Sequence, residues 1–258
     1  MSSRSFRYYA PSYLRLLKTF RNGLAIAYAH HNLRDVDRAV FWDGLSVRNA
    51  PNRSGLAETV VEIFADEVYS AAGFYVPRSN DVVLDVGANV GLFAAWLARK
   101  APGIRVSAFE PFAENFAALQ ENIKPWRNIN AFPYAVGGHA GTASMVAVGD
   151  RSVDHRLGIT ATNGNVRVVT LEEAADLTDA RDIDFLKMDI EGSEYDVFEY
   201  PMPDQLMNRF RRIAIEWHEH IRPGVLGLLR ERLSASHNIV QISADDERFG
   251  LLQAVRRN

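Results

Sequence analysis

Residues 81–97, DVVLDVGANVGLFAAWL, decide the fold of this chain. Residues 82–84 are apolar and rich in β-branched side chains, which is typical of a buried parallel strand. A turn with two glycines follows over 85–91, and residues 92–100 predict a helix because apolar side chains recur at helical spacing. This order predicts the first unit of a doubly wound α/β domain, in which ligands bind beyond the carboxyl ends of the strands.

The turn carries one carboxylate and two glycines in the pattern DVGANVG. A dinucleotide site would need G-x-G-x-x-G, whereas Gly87 and Gly91 are four residues apart with Asn89 between them. Asp85 at the strand end suits a cationic ligand and repels a diphosphate. S-adenosylmethionine (SAM) has an ammonium, a sulfonium and no phosphate. The pattern resembles the first motif of class I SAM-dependent methyltransferases, and a plain structural turn is the alternative.

The composition predicts a globular protein with one large α/β domain and an extension. The chain has 258 residues, of which 47% are hydrophobic and 24% are charged. Its net charge of −3 argues against a nucleic-acid partner. Because the chain has no cysteine, disulfides, thiolate metal sites and cysteine catalysis are excluded. No apolar run approaches the ~18–20 residues of a transmembrane helix, and we expect a cytoplasmic protein.

Residues 1–76 predict a mainly helical N-terminal extension, and residues 77–258 predict the domain that binds SAM. Residues 12–24 fit a basic amphipathic helix. We expect this helix to pack on the domain or on a second subunit of a homodimer, rather than to lie on an anionic membrane. The extension is a candidate lid over the strand ends.

An acidic residue ends the second predicted strand, 105–109. Glu110 is followed by Pro111 and Phe112, and these three residues are candidates for cofactor binding. A carboxylate at this position can accept hydrogen bonds from both hydroxyls of a ribose. The alternative role is a charge that favours the N-terminus of the next helix. Phe112 is a candidate for stacking on an adenine, and a core position is the alternative for it.

Charged residues alternate at the end of the strand predicted over 184–190. Lys187, Asp189 and Glu191 can all project to one side of this strand end. Buried charges are costly unless they are paired or used, so three of them at the ligand edge of a sheet indicate a site. A structural Lys–Asp pair is the alternative. The last predicted elements are two strands, 239–243 and 251–255, which form an antiparallel hairpin.

These segments together resemble the FkbM family of SAM-dependent O-methyltransferases. The resemblance covers residues 45–220 and rests on DVGANVG at 85–91, Glu110-Pro111 with Asn115 and Asn122 downstream, VTLE at 169–172 and IDFLKMDIEGSE at 183–194. It implies a Rossmann-like class I methyltransferase fold, with a mostly parallel seven-stranded sheet and a C-terminal antiparallel hairpin. It also implies methyl transfer from SAM to an oxygen of a small molecule, often a sugar or natural-product hydroxyl and sometimes a carboxylate. The residues that it implies for SAM binding are Asp85, Gly87, Asn89, Gly91 and Glu110, with Asp189 and Glu191 where cofactor and acceptor meet.

Transfer to a hydroxyl also requires that the acceptor lose a proton, to a general base or at a metal. Lys187, Asp189, Glu191 and His218 are the candidate catalytic residues. The candidate bases among them are Asp189 or Glu191, and His218. An unperturbed histidine has a pKa near ~6.5, which suits a base, and a structural role is the alternative for His218.

A magnesium ion is an open question at this site. Asp189, at the end of the strand predicted over 184–190, and Glu216, at the end of the next strand, predicted over 212–216, occupy positions that bind magnesium in some other class I O-methyltransferases. Two carboxylates with waters suit a hard divalent ion, although the FkbM resemblance does not itself imply a metal. Without a metal, we expect Glu216 to accept a hydrogen bond from His218 and to orient it.

The leading hypothesis is therefore an O-methyltransferase that acts on a hydroxyl in small-molecule biosynthesis. A carboxylate O-methyltransferase and a SAM-binding scaffold without catalysis are the alternatives, and the charged residues at the strand ends argue against the scaffold. A nucleic-acid methyltransferase would need a basic face with exposed aromatic residues, which the net charge opposes. Acceptor specificity is expected to lie in the extension and in the polar loop predicted over 149–165.

Overall fold

The structure, a computed structural model, describes residues 6–51, 54–146, 156–158, 166–200, 202–244 and 248–257. The helices in these residues are α1 (Phe6–Thr19), α2 (Gly23–His31), α3 (Leu56–Val60), α4 (Leu92–Lys100), α5 (Ala113–Ile123), α6 (Leu171–Asp176), α7 (Glu194–Glu199), α8 (Asp204–Met207) and α9 (Val225–Ser234), with a π-helical segment at Val61–Asp66 and a 3₁₀ turn at Ala71–Gly73. Of the helices described, none has the length and the apolar character needed to cross a membrane.

The strands described are β1 (Arg38–Val40), β2 (Ser46–Arg48), β3 (Val82–Val86), β4 (Arg105–Phe109), β5 (Ile129–Phe132), β6 (Tyr134–Val136), β7 (Gly141–Val146), β8 (Arg156–Gly158), β9 (Val166–Val169), β10 (Phe185–Met188), β11 (Arg212–His218), β12 (His237–Ala244) and β13 (Phe249–Arg256). Within this part of the chain, seven of them form the main sheet in the order β12-β13-β11-β10-β3-β4-β5. The five strands from β11 to β5 are parallel, and β12 and β13 form an antiparallel hairpin beside β11. The predicted class I methyltransferase fold is confirmed.

Helices cover both faces of this sheet because strand side chains alternate between the faces. Val83 lies in one hydrophobic cluster with side chains of α4 and α5, and Leu84 lies in a second cluster with side chains of α6 to α9. The predicted helix after the first strand has the predicted bounds, 92–100. The parallel strands therefore end together at one edge of a three-layer domain.

A proline separates two short strands. β5 and β6 lie on either side of Pro133 and belong to different sheets. Proline has no N–H to donate to a strand ladder, which explains the break. β6 joins β9, β7 and β8 in a four-stranded sheet. The loop predicted over 149–165 lies outside the described residues except for β8.

The N-terminal extension contains a hairpin as well as helices. β1 and β2 are antiparallel partners, which the prediction of a mainly helical extension missed. α1 buries Tyr13 and Leu16 in the cluster that also holds Val83, so this helix packs on the domain. The boundary at residue 76 and the homodimer stay predictions.

Asn122 on α5 fixes the extension to the domain. Its Oδ1 accepts a hydrogen bond from the backbone N–H of Arg48 at 2.8 Å, and its Nδ2 donates to the carbonyls of Arg48 and Val90, each at 2.8 Å. One side chain thus joins β2 to the turn after β3.

Candidate functional site

A cavity of about 650 Å³ opens where the parallel strands end. Its wall combines the turns after β3 and β4, the ends of β10 and β11, part of the extension and part of the C-terminal hairpin. Ten predicted site residues line it: Gly87, Asn89, Glu110, Pro111, Phe112, Lys187, Asp189, Glu191, Glu216 and His218. Asp85 and Gly91 are not among the lining residues that the structure describes.

The turn after β3 is held between the two neighbouring strands. The backbone N–H groups of Gly87 and Ala88 donate to the carbonyl of Phe109 at 3.0 and 2.9 Å. Gly87 has a φ of +83°, and a Cβ added to it would lie 1.7 Å from the backbone oxygen of Asp189. Because both the φ angle and the available space exclude a side chain, this position requires glycine.

Gly91 and Asn89 have different neighbours. Gly91 precedes α4 and packs against the side chain of Leu119, which is a structural contact. The Nδ2 of Asn89 donates to the carbonyl of Ser54 in the extension at 3.2 Å. Ser54 also lines the cavity, so the extension forms part of the wall beside the turn.

Glu110 is a buried carboxylate held by backbone amides. Its Oε2 accepts from the N–H of Asn89 and its Oε1 from the N–H of Phe112, both at 2.9 Å. Burial raises the pKa of Glu110 to about 7, although the two amides act in the opposite direction. The carboxylate is thus fixed at the cavity wall, and a bound group that donates hydrogen bonds would stabilise its ionised form.

Lys187 is the buried cation of the site. It lies beside Asp85 because β10 and β3 are parallel neighbours with these two residues in register. Its Nζ donates to the carbonyl of Gly87 at 2.7 Å and lies 3.5 Å from Asp85 Oδ1 and 3.6 Å from Asp189 Oδ2. Burial by itself lowers the pKa of Lys187, but the carboxylates of Asp85 and Asp189 outweigh it and raise the pKa. Lys187 therefore stays charged.

This arrangement changes the expected role of Asp85. The sequence suggested that its charge faces the loop and the ligand, but Asp85 is fully buried and pairs with Lys187. The physical reason is the strand register, which places Asp85 directly beside Lys187 on the neighbouring strand. Asp85 acts on the cavity through Lys187.

His218 is held by a carboxylate that the sequence analysis did not select. Its Nδ1 donates to Oε1 of the fully buried Glu194 at 3.0 Å, and Glu194 Oε1 also accepts from the N–H of Ile190. Glu216 Oε1 lies 4.0 Å from Nε2, too far for a hydrogen bond, so the expectation that Glu216 orients His218 is wrong. Glu194 is the last residue of the IDFLKMDIEGSE segment, and that position was the available signal.

His218 carries a proton at neutral pH. Burial by itself lowers the pKa of His218, but the hydrogen bond with Glu194 and the charges of Glu194, Glu191 and Asp189 raise it to about 9. The Nε2 faces Glu191 Oε2 at 3.3 Å. A backbone with left-handed φ angles, +52° at Glu191 and +92° at Gly192, presents this carboxylate.

Three side chains fit a divalent metal by the chemistry of their donors. One ligand atom each from Asp189, Glu216 and His218 lies within 4.8 Å of the others. Oδ1 of Asp189 is buried and has no hydrogen-bond partner among the residues described. His218 was not predicted as a ligand, and its imidazole adds a nitrogen to the two carboxylates.

The extension adds carboxylates to one side of the cavity. Glu58, Glu62 and Asp66 line this side, and the sequence analysis did not select them. Their spacing of four residues places them on one helix face, which was the available signal.

Burial and the charges of Asp189, Glu62 and Glu191 raise the pKa of Glu216 well above its usual value. We call this side, with Lys187, Asp189, Glu191, Glu216 and His218, the acidic half, and the side with Gly87, Asn89, Glu110 and Phe112 the turn half.

Comparison with known protein families matches residues 85–239 to the methyltransferase FkbM domain. Two curated relatives match a short stretch. The chain is 53% identical over 62 residues to the AMB antimetabolite synthetase AmbE of Pseudomonas aeruginosa, which is 24% of this chain and 3% of that protein. It is 48% identical over 61 residues to the 31-O-demethyl-FK506 methyltransferase FkbM of Streptomyces tacrolimicus, which is 24% of this chain and 23% of that protein.

A third relative matches over a longer stretch. The chain is 27% identical over 213 residues to the methyltransferase sdnD of Sordaria araneosa, with 66% of this chain and 79% of that protein covered. The first two matches thus span less than a quarter of each relative's own length.

Proposed function

This chain belongs to the FkbM methyltransferase family, and from that premise we propose that it transfers the methyl group of SAM to a hydroxyl oxygen of a small molecule. The observation that carries the proposal is that the two halves belong to one cavity and meet at Lys187 and Asp189. Bound SAM would supply an activated methyl group on a sulfonium. The chain itself then has to align the acceptor oxygen, exclude water and remove a proton.

The turn half is proposed to hold SAM. Gly87 and Asn89 form part of the wall that the cofactor would contact, and Glu110 provides acceptors for the ribose hydroxyls. Pro111 and Phe112 line the cavity next to Glu110, where Phe112 is the candidate for contact with the adenine. Gly91 lies outside the cavity wall and packs against Leu119, and Asp85 acts on the cavity through Lys187.

The acidic half is proposed to hold the acceptor, and its charge favours a neutral hydroxyl. The carboxylates that line it come from the extension and from two strand ends: Glu58, Glu62, Asp66, Asp189, Glu191 and Glu216. In a cavity that is poorly screened by solvent, like charges repel strongly. A carboxylate acceptor would therefore bind less well, which argues against the carboxylate O-methyltransferase. The relative from Streptomyces tacrolimicus, which acts on 31-O-demethyl-FK506, supports an oxygen acceptor.

His218 is proposed as the general base. Glu194 holds Nδ1, so in the neutral imidazole Nε2 is the atom that can receive the proton of the acceptor hydroxyl. Glu194 and Glu191 then stabilise the imidazolium that results. Lys187 keeps Asp189 in place at the point where the two halves meet.

A divalent metal at Asp189, Glu216 and His218 is the competing way to activate the hydroxyl. Such an ion would polarise the acceptor oxygen and lower its pKa. His218 would then be a ligand instead of a base, because its Nε2 cannot hold both a metal and a proton. The two proposals predict different results with a chelator.

The experiment combines binding with turnover. Calorimetry with S-adenosylhomocysteine (SAH) measures the cofactor site, and SAM with a labelled methyl group measures transfer to a panel of alcohols and matched carboxylic acids. We expect SAH binding, label in the alcohols, and full activity in excess EDTA. We also expect Asp189→Ala to lower turnover by more than about 100-fold while the protein stays folded.

Each contrary outcome has a distinct meaning. Absence of SAH binding would refute the methyltransferase. SAH binding without transfer to any acceptor class would favour the scaffold alternative. Label in the carboxylic acids alone would establish the carboxylate O-methyltransferase, and activity lost in EDTA and restored by a divalent ion would establish the metal.

A further inference from the structure

Asn115 is a buried amide at the wall of the cavity. It lies in the first turn of α5, has 3% of its surface exposed, and lines the cavity beside the turn that carries Glu110. Among the residues that the structure describes, no donor reaches its Oδ1. Buried polar groups in folded proteins are nearly always hydrogen-bonded, and an unmet amide lowers stability. The free protein therefore leaves at the cavity wall a group that a ligand can satisfy.

Asn122 on the same helix has a structural role and serves as a comparison for Asn115. It is also 3% exposed, and it lies on the same face of α5, two turns further along. All of its hydrogen bonds go to the protein, to the backbone of Arg48 and Val90. Asn115 makes none of these contacts, so packing of the extension does not explain it.

The chemistry of the neighbouring carboxylate indicates which ligand group Asn115 meets. Each oxygen of Glu110 already accepts one backbone N–H, and an ionised carboxylate can only accept more. A ribose hydroxyl donates one hydrogen bond and also accepts. Glu110 can therefore accept hydrogen bonds from the two hydroxyls but cannot donate to their oxygens. The Nδ2 of Asn89 is already used on Ser54. The side-chain amide of Asn115 can donate to one ribose hydroxyl through Nδ2, while its unmet Oδ1 accepts from the other.

We propose that Asn115 is a cofactor-binding residue whose side-chain amide hydrogen-bonds the ribose hydroxyls of SAM, alongside Glu110. The inference rests on the proposed function, because it needs SAM in the turn half. It adds a residue on α5 to a site otherwise formed by the turns after β3 and β4.

The test removes the amide and the ribose hydroxyls separately and together. Calorimetry measures the Kd of SAH and of its 2′,3′-dideoxy analogue with the wild-type protein and with Asn115→Ala. We expect Asn115→Ala to weaken SAH about tenfold, as for loss of one or two hydrogen bonds, and to change the affinity for the dideoxy analogue less than about twofold. An equal loss for the two ligands, or no loss for SAH, would overturn the inference.

Two further variants serve as controls. Asn115→Asp keeps the size of the side chain but replaces the donor with an acceptor next to Glu110, so we expect it to weaken SAH at least as much as Asn115→Ala. If Asn115→Ala does not fold, the SAH affinity of Asn115→Asp tests the inference instead. Asn122→Ala should lower the urea midpoint but leave the ratio of the two Kd values unchanged. SAH that fails to bind the wild-type protein would refute the proposed function itself, whereas SAH that binds all Asn115 variants equally would refute only this inference.

Discussion

The two halves of the cavity are built in different ways. In the turn half, backbone groups do most of the positioning: Gly87 approaches Asp189 closely, and the amides of Asn89 and Phe112 hold Glu110. In the acidic half, charged side chains from separate elements position one another, as His218 is positioned by Glu194. The turn half contains one buried carboxylate, Glu110, whose partners are neutral backbone amides. The acidic half contains several carboxylates that share the positive charges of Lys187 and His218.

This difference predicts how each half responds to change. A site fixed by its backbone loses only the contact that a substitution removes. In a network of coupled charges, removal of one member leaves the others buried without compensation. We therefore expect large, non-additive effects in the acidic half and small, local ones in the turn half.

The largest effect is expected for Lys187→Met. Lys187 compensates Asp85, which is fully buried, and it also contacts Asp189. Loss of one partner of a buried ion pair costs about 3–5 kcal/mol of unfolding free energy, because the remaining charge is left unpaired. Urea unfolding measures this loss, and we expect methyl transfer to be abolished as well.

The matched controls for Lys187 are a double variant and a surface lysine. Lys187→Met with Asp85→Asn should recover most of the unfolding free energy, because neither charge then stays buried alone. Lys124→Met removes an exposed ion pair with Glu121 and should change stability by less than about 0.5 kcal/mol. A loss below about 1 kcal/mol for Lys187→Met would show that the acidic half is not a coupled network.

The position of the turn-half residues at the cavity wall could be predicted from the sequence, and their role in cofactor binding stays a prediction. DVGANVG and Glu110 end neighbouring strands, and the rule that ligands bind at such ends places them without further information. The role of Asp85 was misjudged because its partner depends on the register between β3 and β10, which no local pattern contains.

The acidic half was predicted only in part. Lys187, Asp189 and Glu191 alternate along one strand and were found, and His218 was found by its position after Glu216. Glu194 was missed because its contact with His218 joins a helix to a strand 24 residues further along the chain. Glu58, Glu62 and Asp66 were missed because the sequence does not show which face of this segment of the extension is turned toward the strand ends.

A second prediction concerns the pH dependence of turnover. If His218 is the base, only its neutral form accepts the proton, and with a pKa of about 9 that form is scarce at pH 7. We expect kcat/KM to rise about 50-fold between pH 7 and pH 9 and then to level off. Glu194→Gln removes a charge that raises this pKa, so its profile should level off at lower pH and at a lower plateau.

A steady-state pH–rate profile of both proteins measures this effect, with SAH affinity as the control. Because Glu194 contacts His218 and not the turn half, the Kd of SAH should stay within about twofold of wild type. A wild-type profile that is flat from pH 7 to pH 9 would remove His218 as the base.

The smallest effect is expected in the turn half, at Glu110. Its pKa of about 7 in the free protein means that half of the carboxyl groups are protonated at neutral pH. Ribose hydroxyls that donate to the ionised form would lower this pKa, so SAH binding should release a proton and tighten about tenfold between pH 6 and pH 8. Calorimetry in two buffers of different ionisation enthalpy measures both quantities. Glu110→Gln should bind SAH more weakly and with no pH dependence over this range. If the SAH affinity of the wild-type protein is also independent of pH between 6 and 8, the ribose hydroxyls do not donate to Glu110. The turn half would then hold the cofactor without this carboxylate.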